Sequence, residues 1–304
     1  MRVFVTGATG FVGSALVHEL INSGHQVLGL ARSEKNAKSL AAAGAEVHRG
    51  SLEDLESLRS GAAAADGAIH TAFIHDFSNY GPAAEADRRA IETLGGALAG
   101  SDRPLIVTSG TLLAQPKGPL ATEEDAHNPS FPRKSEDEAL ALAARGVRAS
   151  VLRLPPSVHG YGDHGFVPRL ISIAREKGVS AFIGDGLNRW PAVHRLDAAH
   201  LYRLALEKGS AAASYHGVAD EGVPTRELAE VIGDHLNLPV VSKPREEAAA
   251  HFGWIAHFFG IDGPASSAQT QQRLGWRPVQ PGLIADLSAA HYFERIADAV
   301  AARS

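Results

Sequence analysis

Three glycines spaced three apart, Gly7, Gly10 and Gly13, stand between a β-type run, Val3-Phe4-Val5-Thr6, and the start of a helical period, and no other feature narrows the fold as much. In such a loop the first glycine permits a tight turn, the second lets backbone come close to a pyrophosphate, and the third lets helix and strand pack in contact. The free amides at the helix start then face the anion. Strand, spacing and helix together turn a weak glycine pattern into a dinucleotide-binding loop. Its contacts are expected from Thr6, Gly7, Thr9, Gly10, Phe11, Val12 and Gly13.

The alternation continues along the chain. Residues 26–31, 46–49, 67–72 and 104–108 read as strands, with helical stretches near 12–23, 34–43, 83–100 and 133–145. Strands alternating with helical periods form βαβ units, which gives an α/β, doubly wound parallel sheet of the Rossmann kind. After the strand 149–154 the composition changes to turn-rich sequence, Leu154-Pro155-Pro156-Ser157 and Gly160-Tyr161-Gly162-Asp163. A smaller, discontinuous C-terminal substrate subdomain is therefore expected. The division is 1–156 plus 193–222 for the cofactor domain, and 157–192 plus 223–304 for the substrate side.

Cofactor choice is set at the end of the second strand, where an acidic residue would accept bonds from a ribose 2′-hydroxyl and an arginine would pair with a 2′-phosphate. The segment Leu30-Ala31-Arg32-Ser33 ends in arginine. NADP(H) is expected, with Ser33 a second contact and Lys35 a further candidate.

Composition removes several classes. The net charge of −5 offers no basic field for nucleic acid or an anionic membrane. The absence of cysteine excludes disulfides, thiolate metal sites and a cysteine nucleophile. No apolar run reaches the roughly 20 residues of a membrane span, and the first strand begins too early for a signal peptide. A soluble, cytoplasmic enzyme is expected. The 15 histidines show no metal-ligand spacing, so no metal is expected.

Further segments carry a family resemblance. Gly50-Ser51-Leu52-Glu53-Asp54, His70-Thr71-Ala72, Val107-Thr108-Ser109-Gly110, Arg153 to Gly160, and Ser266 through Arg273-Leu274-Gly275-Trp276-Arg277-Pro278 join the glycine loop. With them the chain resembles the extended and atypical short-chain dehydrogenases/reductases, in the NAD-dependent epimerase/dehydratase-like branch. The resemblance implies that Ser51 and Leu52 belong to the adenine-contacting turn, with Ser51 replacing an aspartate. It implies that Thr71, Ala72 and Thr108 lie under the cofactor, and that Pro155 and Val158 flank the nicotinamide. It also makes Ser109 the strand-end catalytic serine.

One departure matters more. The family's proton-transfer pair is a tyrosine followed four residues later by a lysine that lowers the phenol's pKa. No tyrosine here has a lysine at that spacing. The corresponding stretch, Ser130-Phe131-Pro132-Arg133-Lys134-Ser135-Glu136, puts Pro132 or Arg133 near the tyrosine position and Glu136 at the lysine.

Candidates for the chemistry are then Ser109, which could hydrogen-bond a substrate oxygen, and Arg133 and Lys134, which could polarise a carbonyl. His159, Tyr161 and His194 complete the set, since a histidine exchanges protons near neutral pH without a helper lysine. His194 precedes a helix expected to be capped by Asp197. The cluster from His251 to Phe259 holds Phe252, Trp254, Phe258 and Phe259, and reads as a lid over an apolar or aromatic substrate, as core, or as a dimer contact.

The expected function is an NADP(H)-dependent reductase or dehydrogenase acting on a small carbonyl, alcohol or activated alkene. Nucleotide-sugar epimerisation or dehydration, and a non-catalytic NADP(H) sensor, are the alternatives. The subunit state expected is monomer or homodimer.

Overall fold

Seven strands lie side by side in parallel, and their order follows from the βαβ alternation along the chain. The computed structural model describes residues 1–75 and 80–294; the last ten residues of the expected substrate region lie outside them.

The first half runs β1 (Arg2–Thr6), α1 (Phe11–Asn22), β2 (Gln26–Ala31), α2 (Glu34–Ala42), β3 (Glu46–Arg49), α3 (Leu55–Ala63) and β4 (Gly67–His70). It continues with α4 (Tyr80–Leu98), β5 (Pro104–Gly110), α5 (Ser135–Ala143) and β6 (Arg148–Leu154). The chain then passes through β7 (Ser157–His159), α6 (Phe166–Lys177), β8 (Ser180–Ile183), β9 (Arg189–His194), α7 (Arg195–Lys208) and β10 (Ser214–His216). The remainder comprises β11 (Asp220–Pro224), α8 (Thr225–Leu236), β12 (Val240–Lys243), α9 (Ala248–Phe252), α10 (Ala256–Phe259), α11 (Ala268–Leu274) and α12 (Leu283–Leu287).

The main sheet has the order β10-β6-β5-β4-β1-β2-β3. Reversal of strand order beside β1 opens a crevice at the carboxyl ends of β1 and β4, where ligands bind in such sheets. One face is covered by α1 and α7 through Leu16, Leu20, Leu201 and Tyr202, and the other by α3, α4 and α5 through Leu58, Ile91, Leu94 and Leu142.

Two small sheets, β11-β9-β7 and β12-β8, belong to the second region. Its core is built on Trp190, Phe252, Ile255, Phe259 and Leu283. Of residues 193–222, assigned above to the cofactor domain, only β10 pairs in the main sheet, while Val193 and His194 end β9 in the small sheet.

Helix α3 has no counterpart among the sequence expectations. Gly61 in its interior weakens the helical signal. A Cβ at that position would lie 2.4 Å from the Phe4 ring, so the glycine serves close packing on β1. Among the described residues no helix is long and apolar enough to cross a membrane.

Candidate active site

The glycine loop follows β1 with little freedom. Gly7 adopts φ +69°, and a Cβ on it would stand 2.7 Å from both the Ala72 nitrogen and the Thr71 Oγ1. A Cβ on Gly13 would stand 2.0 Å from the Gly7 carbonyl oxygen. The turn is closed by the Gly10 amide donating to the Gly7 carbonyl at 2.9 Å. Thr71 Oγ1 donates to the Thr6 carbonyl at 2.8 Å, and Thr108 Oγ1 to the His70 carbonyl at 2.7 Å. Thr6, Gly7, Thr71, Ala72 and Thr108 therefore converge at the carboxyl edge of β1, β4 and β5.

Arg32 follows β2 on the surface, and among the described residues its guanidinium makes no hydrogen bond or ion pair. Ser33 caps α2, its Oγ accepting from the Asn36 amide. Ser51 Oγ accepts from the Glu53 amide, with Leu52 half-buried beside it.

A buried polar chain runs from β1 to Arg133. Thr6 Oγ1 lies 2.8 Å from His70 Nδ1, and His70 Nε2 lies 3.2 Å from Asp87 Oδ1. A carboxylate only accepts, so Nε2 carries the hydrogen and Nδ1 accepts from the Thr6 hydroxyl. The other Asp87 oxygen accepts from Ser135 Oγ and from Arg133 Nε. Burial opposes ionisation of Asp87, but Arg133, His70 and Ser135 outweigh it and hold the carboxyl below the usual range. Arg133 Nη2 donates to the Thr108 carbonyl at 2.9 Å, and the guanidinium carbon lies 4.1 Å over the Phe73 ring. Among the described residues Nη1 makes no hydrogen bond, which leaves two N–H donors at the β5 edge.

Ser109 and Glu136 lie one layer deeper. Ser109 is 3% exposed, and its Oγ donates to Glu136 Oε1 at 2.6 Å. Arg153 grips the same carboxylate, through Nε at 3.1 Å from both oxygens and Nη2 at 2.6 Å from Oε2. The Ser109 hydroxyl hydrogen is thus engaged within the protein. Arg153 also contacts His216 Nε2 at 3.2 Å. Burial first, and then the Arg153 charge, lower the His216 pKa to about 4.

Among the other candidates, Lys134 folds back so that Nζ donates to the Pro129 carbonyl. His159 and His194 meet with ring centroids 5.4 Å apart. His159 Nδ1 pairs with Asp286 at 2.8 Å, while its Nε2 is buried without a partner. His194, not Asp197, caps α7, its Nδ1 accepting from the Leu196 amide. Asp197 instead accepts from the Val279 and Gln280 amides, tying the Trp276 segment to α7. Tyr161 stands on the surface, 61% exposed. Pro155 is buried and Val158 half-buried at the β6-β7 turn.

A cavity of about 300 Å³ is lined by Tyr80, Leu113, Phe131, Pro132, Trp254, His257 and Phe258. It adjoins Arg133 through Pro132 and through Phe73, whose ring lies 5.9 Å from that of Tyr80. The aromatic stretch 251–259 divides between this wall and the core. Trp254 and Phe258 line the cavity, whereas Phe252 and Phe259 are buried. Among the described residues no group of His, Asp or Glu converges as a metal site.

The model of the NAD dependent epimerase/dehydratase family matches residues 3–218. The chain belongs to that family. It is 54% identical over 295 residues to an uncharacterized protein of Schizosaccharomyces pombe, covering 96% of this chain and 100% of the relative. It is 29% identical over 269 residues to a 2-alkyl-3-oxoalkanoate reductase of Stenotrophomonas maltophilia, covering 83% and 79%. In fold it is similar to a dTDP-glucose 4,6-dehydratase from Streptomyces venezuelae, with a TM-score of 0.76, 21% identity and 95% of each chain covered.

Around the expected tyrosine and lysine positions the side chains turn in opposite directions, Arg133 outward to the β5 edge and Glu136 inward to Arg153. Sequence reasoning missed Asp87. The signal was present: Ala83, Ala84, Ala90, Ile91 and Leu94 form the buried stripe of α4, and Asp87 falls within it. A carboxylate on the apolar face of a helix asks for a buried partner.

Proposed function

We propose that the protein is an NADP(H)-dependent reductase or dehydrogenase acting on a small apolar carbonyl compound, with Arg133 in place of the family's tyrosine. The observation that carries this reading is the Arg133 guanidinium, whose Nη1 makes no hydrogen bond among the described residues, lying over Phe73, which in turn meets Tyr80 in the wall of a largely apolar cavity of about 300 Å³.

The cradle suits a dinucleotide, since Cβ atoms at Gly7 and Gly13 would fill the space the backbone leaves clear. Thr6, Gly7, Thr9, Gly10, Phe11, Val12 and Gly13 would hold the diphosphate, and Arg32 with Ser33 a 2′-phosphate. Ser51 and Leu52 would flank the adenine, and Thr71, Ala72, Thr108, Pro155 and Val158 the nicotinamide half. When bound, the dinucleotide supplies or accepts the hydride.

Arg133 binds and polarises the substrate oxygen, stabilising the negative charge that develops on it. Asp87 and the Thr108 carbonyl fix the guanidinium plane, so little reorientation accompanies the charge. Arginine does not release its proton near neutral pH, so water supplies the hydrogen that completes the alcohol. The aromatic wall of Trp254 and Phe258 takes the apolar body of the substrate.

The relative named as a reductase supports this reading, and the apolar wall counts against a nucleotide sugar. The test is NADPH oxidation measured against a panel of apolar ketones, aldehydes and enones, with Arg133→Leu alongside. Turnover that falls by roughly 10²–10³ in kcat in the variant is expected. Tight NADPH binding with no turnover on any of them would favour the sensor reading, to which the engaged Ser109 also points.

A further inference from the structure

One arginine at the glycine loop has no carboxylate partner among the described residues. Arg195 opens α7, and its guanidinium carbon lies 4.9 Å over the ring of Phe11, the residue after Gly10 in the glycine loop. Nη1 donates to the Tyr161 carbonyl at 2.9 Å, which leaves Nε and Nη2 without hydrogen bonds among the described residues. His164 meets the same Phe11 ring edge-on, with centroids 5.7 Å apart.

The path of the side chain is kept open by the backbone. A Cβ on Gly160 would stand 3.0 Å from Arg195 Cγ and 2.8 Å from His194 Nε2, and Gly160 adopts φ +133°. A side chain there would push Arg195 off the loop. Of the other arginines packed into this molecule, Arg133, Arg153 and Arg203 meet a carboxylate, whereas Arg103 and Arg148 donate to backbone carbonyls away from the glycine loop. Among the described residues Arg195 meets no carboxylate, and burial draws its pKa down. A half-buried guanidinium with two free donor groups, held against a phosphate-binding loop, is complementary to an anion.

Its position selects which anion. Arg32 marks the adenosine end, beyond β1 on the β2 side of the sheet. Arg195 reaches Phe11 from the start of α7, directly after β9, whose partner β7 continues from β6 on the opposite side of β1.

We propose that Arg195 binds the dinucleotide phosphate on the nicotinamide side, closing over the glycine loop by way of Phe11 and Gly160. This rests on the reading of the cleft as a nicotinamide dinucleotide site. The ligand chemistry is a phosphate monoanion within a diphosphate, read by a planar guanidinium.

The experiment is calorimetric titration of the full chain and its Arg195→Ala and Arg195→Lys variants with NADPH and with adenosine 2′,5′-bisphosphate, which lacks the nicotinamide-side phosphate. Arg195→Ala should raise the NADPH Kd about tenfold, in line with loss of one charge-assisted phosphate contact. Arg195→Lys should raise it by less, because a point charge keeps the attraction but not the fork. Both variants should bind the bisphosphate as the parent protein does, which also shows that they fold. An unchanged NADPH Kd in Arg195→Ala overturns the proposal, including the case in which only the KM of an anionic substrate rises. Equal weakening of NADPH and the bisphosphate overturns it too. A parent protein that binds neither NADPH nor NADH defeats the dinucleotide reading itself, an outcome distinct from these.

Discussion

Replacing Glu136 by Gln should destabilise the protein through Arg153. The two side chains are 1% and 2% exposed, and three of the four short contacts of the carboxylate come from one guanidinium. An amide presents one acceptor oxygen and turns its NH2 toward the Arg153 donors, so a buried cation loses its counter-charge. Breaking a buried pair in this way costs about 3–5 kcal/mol. Spread over an unfolding entropy of about 0.6 kcal/mol/K for a chain of this length, the melting temperature should drop by about 5–8 °C.

Removing both charges, as Glu136→Leu with Arg153→Met, should recover more than half of the loss, because neither charge is then left alone. Thermal unfolding by circular dichroism, arranged as a double-mutant cycle, reads both numbers. Reinstating the family's pair as Pro132→Tyr with Glu136→Lys should be worse than Glu136→Gln, since two cations would then share the pocket. A Glu136→Gln melting temperature within about 1 °C of the parent, or a double variant as unstable as the sum of the singles, would refute the argument.

Gly13→Ala should abolish dinucleotide binding measured by calorimetry, because the new Cβ would overlap the Gly7 carbonyl oxygen at 2.0 Å; retained affinity would show that the loop yields freely. His216 has its pKa lowered to about 4 from 6.5, so the unfolded chain takes up the proton first as pH falls. Stability should be complete above pH 6.5 and decline between 6.5 and about 4, and His216→Gln should flatten part of that slope in melts across pH; an unaltered slope would exclude His216. Arg32→Asp should raise the KM for NADPH far more than that for NADH, and equal effects in steady-state kinetics would remove Arg32 from the cofactor choice.

Much of the cofactor half is legible along the chain. The glycine loop lies within seven residues, and strand and helix periods announce the parallel sheet, because backbone geometry and local packing act over short spans. The missing tyrosine-lysine pair is likewise visible as a local spacing. Helix α3 is not, because the glycine that obscures it exists for contact with Phe4.

The site's electrostatics belong to the tertiary structure. Asp87 meets Arg133 across 46 residues, Thr6 meets His70 across 64, and Arg195 lies over the Phe11 ring from the start of α7. Sequence by itself determined which residues were available and what was absent, since those facts depend on composition and short-range spacing. Only the folded arrangement decided that Glu136 turns inward to neutralise Arg153 while Arg133 turns outward with donors to spare. A buried charge takes its role from the partner that burial brings to it, and that partner is chosen by which strands lie side by side.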